Sequence, residues 1–157
     1  MANGVMKAKD TIAGSLATCY ATIEGIRYNF MHVINLEAKI DKTKTEVPIL
    51  GKTGKGNKST GWSGTFEGTA HYNMSVLREL LRKYKETGQD IYFDMQITNE
   101  DPTSAAGRQT TILKDCNLDG GIIAKFDADA DYLDEDISGT FDDFEIPETF
   151  NLLEGMK

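Results

Sequence analysis

Apolar residues in this chain recur at every second position along most of its length and at helical spacing only once. That balance restricts the fold to a mainly β structure with a single helix. The clearest run begins at Val33, where Ile34, Leu36, Ala38 and Ile40 share one face at the period of a half-buried strand. Asp41 to Glu46 is wholly polar, and apolar character returns at Val47 and Ile49 on the opposite parity. The parity change predicts a bulge, or a strand that leaves one sheet and continues elsewhere. Gly51 to Gly61 (GKTGKGNKSTG) reads as a flexible loop, and strand pattern resumes over Trp62–Tyr72 with Phe66, Gly68, Ala70 and Tyr72 on one side. The two runs form a long hairpin whose outer half has few apolar residues. Such a hairpin is marginal alone in water, and a neighbouring chain is one way to order it.

The rest of the chain divides around this hairpin. Met1 to Leu16 is small, polar and aperiodic, and reads as an arm outside the core. Ala17–Ile23 alternates as a strand and turns at Gly25 into Ile26–Phe30. Between Ser75 and Gly88, Val76, Leu77, Leu80, Leu81 and Tyr84 form one apolar stripe at i, i+3, i+4 spacing. Ser75 can cap this helix, Arg78 stands where a capping box wants an acid, and Gly88 ends it. Strands follow at Ile91–Thr98 and Gln109–Leu118, joined by the turn-rich segment Asn99–Arg108. Gly120-Gly121 leads into a further strand, Ile122–Leu133, and a last one lies near Ile137–Phe144, before Pro147. The expectation is a small sheet-on-sheet or barrel-like core, with the helix packed on one side and the hairpin protruding. Residues 1–16 would be an arm, 17–150 one domain with the extended segment 39–61, and 151–157 a tail.

At 157 residues the chain is long enough to bury a real core. No run approaches the roughly 18 apolar residues of a membrane span, and Met1 to Asp10 lacks the apolar centre of a secretory signal. The expected place is the cytoplasm, unless a larger particle carries the protein out. Cys19 and Cys116 lie far apart without metal-ligand spacing and read as reduced core thiols. A net charge of −8 argues against a grip on nucleic acid, which depends on lysine and arginine. The charge is also polarised. Lys39, Lys42, Lys44, Lys52, Lys55 and Lys58 outnumber Asp41 and Glu46, whereas Lys125 is the one base among the many acids between Asp119 and Glu154. Two solvated surfaces would explain this; so would head-to-tail pairing of copies, which closes rings or grows filaments.

Apparent chemical motifs fail on detail. Gly51 and Gly56 have P-loop separation, but Asn57 replaces the phosphate-binding lysine and the segment leads into a strand. Gly61-Trp62-Ser63-Gly64-Thr65 lacks the second glycine of a hydrolase elbow, and only His32 and His71 could serve as base. Asp127, Asp129 and Asp131 suggest a calcium loop, but Tyr132 and Ser138 stand where glycine and glutamate are required. A strand with acids on one face and Phe126, Ala128, Ala130 and Tyr132 on the other is the better reading. No catalytic constellation, metal site or cofactor site emerges.

Several segments taken in order resemble the tube protein family of contractile phage tails, in its PBSX-type (XkdM-like) branch. They are Leu36–Gly51 (LEAKIDKTKTEVPILG), Ser59–Tyr72 (STGWSGTFEGTAHY), Leu77–Tyr84 (LRELLRKY), Ile97–Gln109 (ITNEDPTSAAGRQ) and Asp134–Glu148 (DEDISGTFDDFEIPE). The resemblance implies two packed β-sheets with a flanking helix, and hexameric rings stacked into a hollow tube inside a sheath. It implies a structural role with no enzymatic activity. Expected partners are further copies of the chain and the sheath, baseplate, tape-measure and tail-terminator proteins. DNA would pass through the lumen without specific binding and no membrane would be involved. The place would be the virion tail, assembled in the bacterial host cytoplasm.

On this reading the hairpin and its loop, Lys39 to Gly61, reach the next ring or subunit. Candidate interface residues are Lys39, Lys42, Lys44, Lys52, Lys55 and Lys58, with Asp134, Glu135 and Asp136; Asp127, Asp129 and Asp131 are candidates for the lumen wall. The acid excess would keep DNA from adhering during passage. One alternative is the inner tube of a bacteriocin-like or injection particle without a capsid. Another, from a different class, is a small acid–base enzyme using the aspartate cluster, which would require a monomer with a concave pocket.

Overall fold

The computed structural model describes residues 4–157. It contains eight strands, one α-helix and one short 3-10 turn, and every strand pairing is antiparallel. The mainly β expectation with one helix holds. The chain forms two compact units, residues 1–31 with 91–116 and 143–157, and residues 32–90 with 117–142.

In the first unit, β1 (Ala17–Ile23) and β2 (Ile26–Asn29) form a hairpin whose turn residues Glu24 and Gly25 have φ values of 50° and 81°. Two positive φ angles are what a two-residue turn needs to follow the twist of its strands. β1 pairs with β5 (Phe93–Glu100), β5 with β6 (Arg108–Leu118), and β6 with β8 (Asp143–Glu148). Ala21, Ile23, Phe30, Phe93, Met95, Leu113 and Cys116 fill the core. Burial pushes the Cys116 thiol up to about 12, helped by the nearby Asp94 carboxylate, and burial pushes Cys19 up to about 11. Pro147 lies inside β8 rather than beyond it. The register breaks there, between the pairs Thr110↔Glu148 and Ile112↔Glu145, which is how a strand accommodates a residue without an N–H.

The segment read as an arm is partly held down. Asp10 ends a 3-10 turn (Ala8–Asp10), its carbonyl accepts from Ser104 Oγ at 2.8 Å and its carboxylate accepts from Ala105 N at 3.0 Å. Ala13 N donates to Asp101 Oδ2 at 3.0 Å. The first three residues of the expected arm lie outside the described residues.

In the second unit β3 (Val33–Val47) pairs with β4 (Gly56–His71) over fourteen positions, and β4 pairs with β7 (Asp134–Phe141). The last two residues of β6, Asn117 and Leu118, complete this sheet on β7. The helix α1 (Val76–Thr87) starts after Ser75 and ends at Gly88, whose φ of 74° lets its N–H reach Tyr84 O. Ser75 occupies the cap position but makes no side-chain cap bond. Arg78 instead reaches Met74 O and Glu135 and lies 4.3 Å from the Tyr72 ring centre.

Two sequence expectations are corrected here. The glycine-rich loop is shorter than Gly51–Gly61, because Gly56 to Gly61 already run in β4 against the continuous partner β3. Ile122–Leu133 is irregular instead of a strand. Asp127 Oδ1 accepts from Asp129 N and Asp127 O from Ala130 N, so local bonds turn the backbone that alternation alone would have extended. One bulge falls opposite the polar stretch where a break was expected, but its extra residue is on β4; a second lies outside that place. Ile34 is unpaired between Val33↔Ala70 and Asn35↔Thr69, and Thr60 between Thr43↔Gly61 and Lys44↔Ser59.

A candidate assembly surface

Register assigns the two faces of the second unit's sheet. One face carries Leu36, Ala38, Ile40, Trp62, Phe66, Ala70, Ile137 and Phe141, interleaved with Gly64, Gly68 and Gly139. Glycine stands opposite a large side chain at three of these pairs: Gly64↔Phe141, Phe66↔Gly139 and Leu36↔Gly68. At the His71 end, Leu77 and Leu81 of α1 meet Leu118, Gly121, Ile122 and Ile137. The helix stripe is therefore the core face that periodicity predicted, although Tyr84 stays exposed.

The other face is polar without interruption. It carries Asn35, Glu37, Lys39 and Asp41 on β3, Ser63, Thr65, Glu67 and Thr69 on β4, and Asp136, Ser138 and Thr140 on β7. Glu37 and Glu67 stand directly opposite each other, a like-charge pairing that an isolated sheet would avoid. A shallow hollow of about 370 Å³ on this face is lined by Glu37, Asp41, Glu67 and Asp119, with Lys39 as the one base. Sequence reading missed this surface. The signal was the even alternation itself, since the parity opposite the apolar one is polar throughout.

Beyond Gly64, β4 has only β3 beside it, and the seven pairs from Asp41↔Ser63 to Val47↔Gly56 form a free two-stranded ribbon. At roughly 3.4 Å per residue it extends about 20 Å. Every residue from Glu37 to Glu46 and from Asn57 to Ser63 is exposed. Lys39, Lys42, Lys44, Lys52, Lys55 and Lys58 all lie exposed on this hairpin, so the structure gathers the nominated lysines on one element. At its tip Ile49 is 47% exposed and Leu50 fully so. Gly56 opens a strand here, which removes the structural basis of a P-loop.

The nominated acids do not act as one group. Asp134 Oδ1 lies 3.1 Å from His71 Nδ1, and Glu135 is buried against Arg78. A buried carboxylate held by a guanidinium is a fixture of the subunit, since losing either partner leaves an uncompensated charge. Asp134 and Asp136 share the polar face by register, and of the two Asp136 is the fully exposed one. His32, buried near Glu135, His71 and Arg78, is held below the usual histidine range chiefly by burial, with Glu135 opposing. Asp127, Asp129 and Asp131 are exposed on the irregular loop rather than on a strand face. That loop is tied to the far end of β4: Tyr72 N donates to Leu133 O, Tyr132 lies edge-on to His71, and Lys125 Nζ donates to Asp134 O. Among the described residues no three His, Cys, Asp or Glu side chains are grouped to hold a metal ion, and no helix is long and apolar enough to cross a membrane.

This fold is shared with solved structures of tail tubes and related particles. The chain matches the anti-feeding prophage tube-terminating cap with a TM-score of 0.66 at 11% identity, over 92% of this chain and 95% of that one. It matches the SPP1 tail tube at 0.62 and 9% identity, over 90% and 81%. Residues 4–148 match the family described as phage tail tube protein, and the chain belongs to that family. It is 34% identical over 143 residues to the phage-like element PBSX protein XkdM of Bacillus subtilis (strain 168), covering 91% of this chain and 95% of that protein. YqbM of the same strain shows the same identity and coverage. The resemblance read from the sequence is borne out.

Proposed function

We infer that the chain is the structural tube subunit of a contractile phage tail, assembling into stacked hexameric rings that form the inner conduit for DNA. The observation that carries this reading is the free ribbon. It is long, uncovered on both faces and retained by a chain whose own core does not need it, which suits an element ordered by a neighbouring copy. A second feature supports it. β3 is the terminal strand of its sheet, and strand addition by an adjacent subunit would continue the sheet around a ring.

The polar sheet face suits the lumen wall better than the Asp127–Asp131 loop. It is the surface with regular geometry, four carboxylates around the hollow and one lysine, so it repels the phosphate backbone at even spacing. The hairpin lysines from Lys42 to Lys58 remain contact candidates, Lys39 and Asp136 going with the polar face, while sheath, baseplate, tape-measure and terminator proteins would be met elsewhere on the ring. The role is structural, without catalysis, and the place is the virion tail, assembled in the host cytoplasm. The relative's description as a phage-like element favours one further reading, the same tube in a particle lacking a capsid. Sheath and baseplate genes without capsid genes nearby would select that reading.

Negative-stain electron microscopy of the purified protein, alone and with baseplate seeds, tests the proposal. Rings or hollow tubes of six-fold symmetry are expected. Particles that stay monomeric under both conditions would sink it.

A further inference from the structure

Two exposed apolar patches with opposite charge lie at opposite ends of β4. At the Gly56 end, Ile49 and Leu50 project from the ribbon tip, and Lys44, Lys52, Lys55 and Lys58 are exposed on the same end of the hairpin. At the His71 end, Ile123 (66% exposed), Phe126 (92%) and Tyr132 (66%) stand out among Asp127, Asp129 and Asp131. Resting on the tube reading above, we propose that the tip of one copy docks onto the Phe126 loop of the next copy along the tube. Leu50 is the apolar anchor and the lysines face the three aspartates.

Three observations carry this contact. First, a wholly exposed leucine and a nearly wholly exposed phenylalanine have no packing role within their own subunit, so burial against each other recovers apolar area that is otherwise hydrated. Second, the charges are complementary at the patches themselves, which fixes register and speeds encounter. Third, the ends are far apart. β4 has sixteen residues, so roughly 50 Å of strand separates them and they cannot meet within one molecule. A surface at one end that matches the surface at the other end of the same strand makes a heterologous contact. Its repeat runs along the strand direction and does not close on itself. The local bonds that bend Asp127 to Ala130 out of a strand, together with the His71, Tyr72 and Lys125 anchors, hold the acceptor loop in place before docking.

The test is charge exchange with the full-length protein, read as the critical concentration for tube formation by pelleting and light scattering. K52E/K55E/K58E and D127K/D129K/D131K should each raise it about tenfold or more, and Leu50→Ser should do so without altering charge. The two triple variants mixed, or combined in one chain, should return it towards the wild-type value. Circular dichroism checks that each monomer is folded, and all substituted side chains are exposed. If either triple variant forms tubes as readily as wild type, or the exchange gives no recovery, the contact is refuted while the tube reading stands. If wild type itself never forms tubes, the tube reading fails first.

Discussion

Three glycines decide how closely large side chains can lie on the second unit's sheet. Each has φ outside the left-handed region, so room is the reason for glycine, not backbone conformation. A Cβ on Gly64 would stand 2.4 Å from the Phe141 ring, and one on Gly139 would stand 2.2 Å from Asn117 O and 2.6 Å from Phe66. Gly64→Ala and Gly139→Ala should each destabilise the monomer by about 1–3 kcal/mol, the usual cost of overpacking, as urea denaturation would show. Gly139→Ala should be the worse, because backbone cannot swing aside as a ring can. Gly61→Ala, with nothing within 4 Å, is the matched control. His32 belongs to the same scale. Its folded pKa lies below the ordinary 6.5, so the unfolded chain binds a proton that the folded subunit refuses. The stability this contributes is complete above pH 6.5 and is lost as pH falls through the folded value. Thermal denaturation between pH 8 and pH 5 should therefore show a fall in Tm that His32→Gln flattens; an unchanged slope would remove His32 as its source.

At the scale of elements, most of the fold could be read from alternation, because strands with one buried face must alternate. Ala17–Ile23 matches β1 at both ends, and β5, β6 and α1 lie within two residues of their expected bounds, whereas β4 starts six residues before Trp62. The failures share a cause, which is that alternation describes side chains while strands are made by partners. Phe126, Ala128, Ala130 and Tyr132 alternate as well as any strand, yet no strand lies beside them and Asp127 offers its own carboxylate to the backbone. Gly56 to Gly61 have the opposite history. Their composition argues against regular structure, and the continuous ladder from Lys44 to Val47 imposes it. The candidate contact surface was half legible. The lysines were visible as a charge run, but Leu50 and Phe126 matter only because nothing in the subunit covers them. Burial of that kind depends on tertiary neighbours and is silent in sequence. Glu135 shows the same gap in reverse, since it sits between two acids and only the fold turns it inward to Arg78.

For the whole molecule, net charge and charge distribution make opposite demands. A net charge of −8 repels every other copy, so added salt should favour assembly if overall repulsion governed it. Complementary ends have the reverse sign, because salt weakens the attraction that brings them together. Range decides between them. Repulsion between whole subunits acts over tens of ångströms and is already screened at roughly 0.1 M salt, where the Debye length is about 10 Å. Attraction between lysines and aspartates in contact acts at about 4 Å and persists until the Debye length itself approaches about 3 Å, near 1 M. Raising sodium chloride across that range should therefore raise the critical concentration for tube formation. The trend should reverse in K52E/K55E/K58E, where glutamates would face Asp127, Asp129 and Asp131 and salt screens repulsion instead of attraction. The apolar Leu50–Phe126 part is insensitive to screening, so assembly should weaken at high salt without being abolished. Tube formation that strengthens with sodium chloride in wild type would show that repulsion dominates, and that the polarity of this chain's charge does not guide its copies into line.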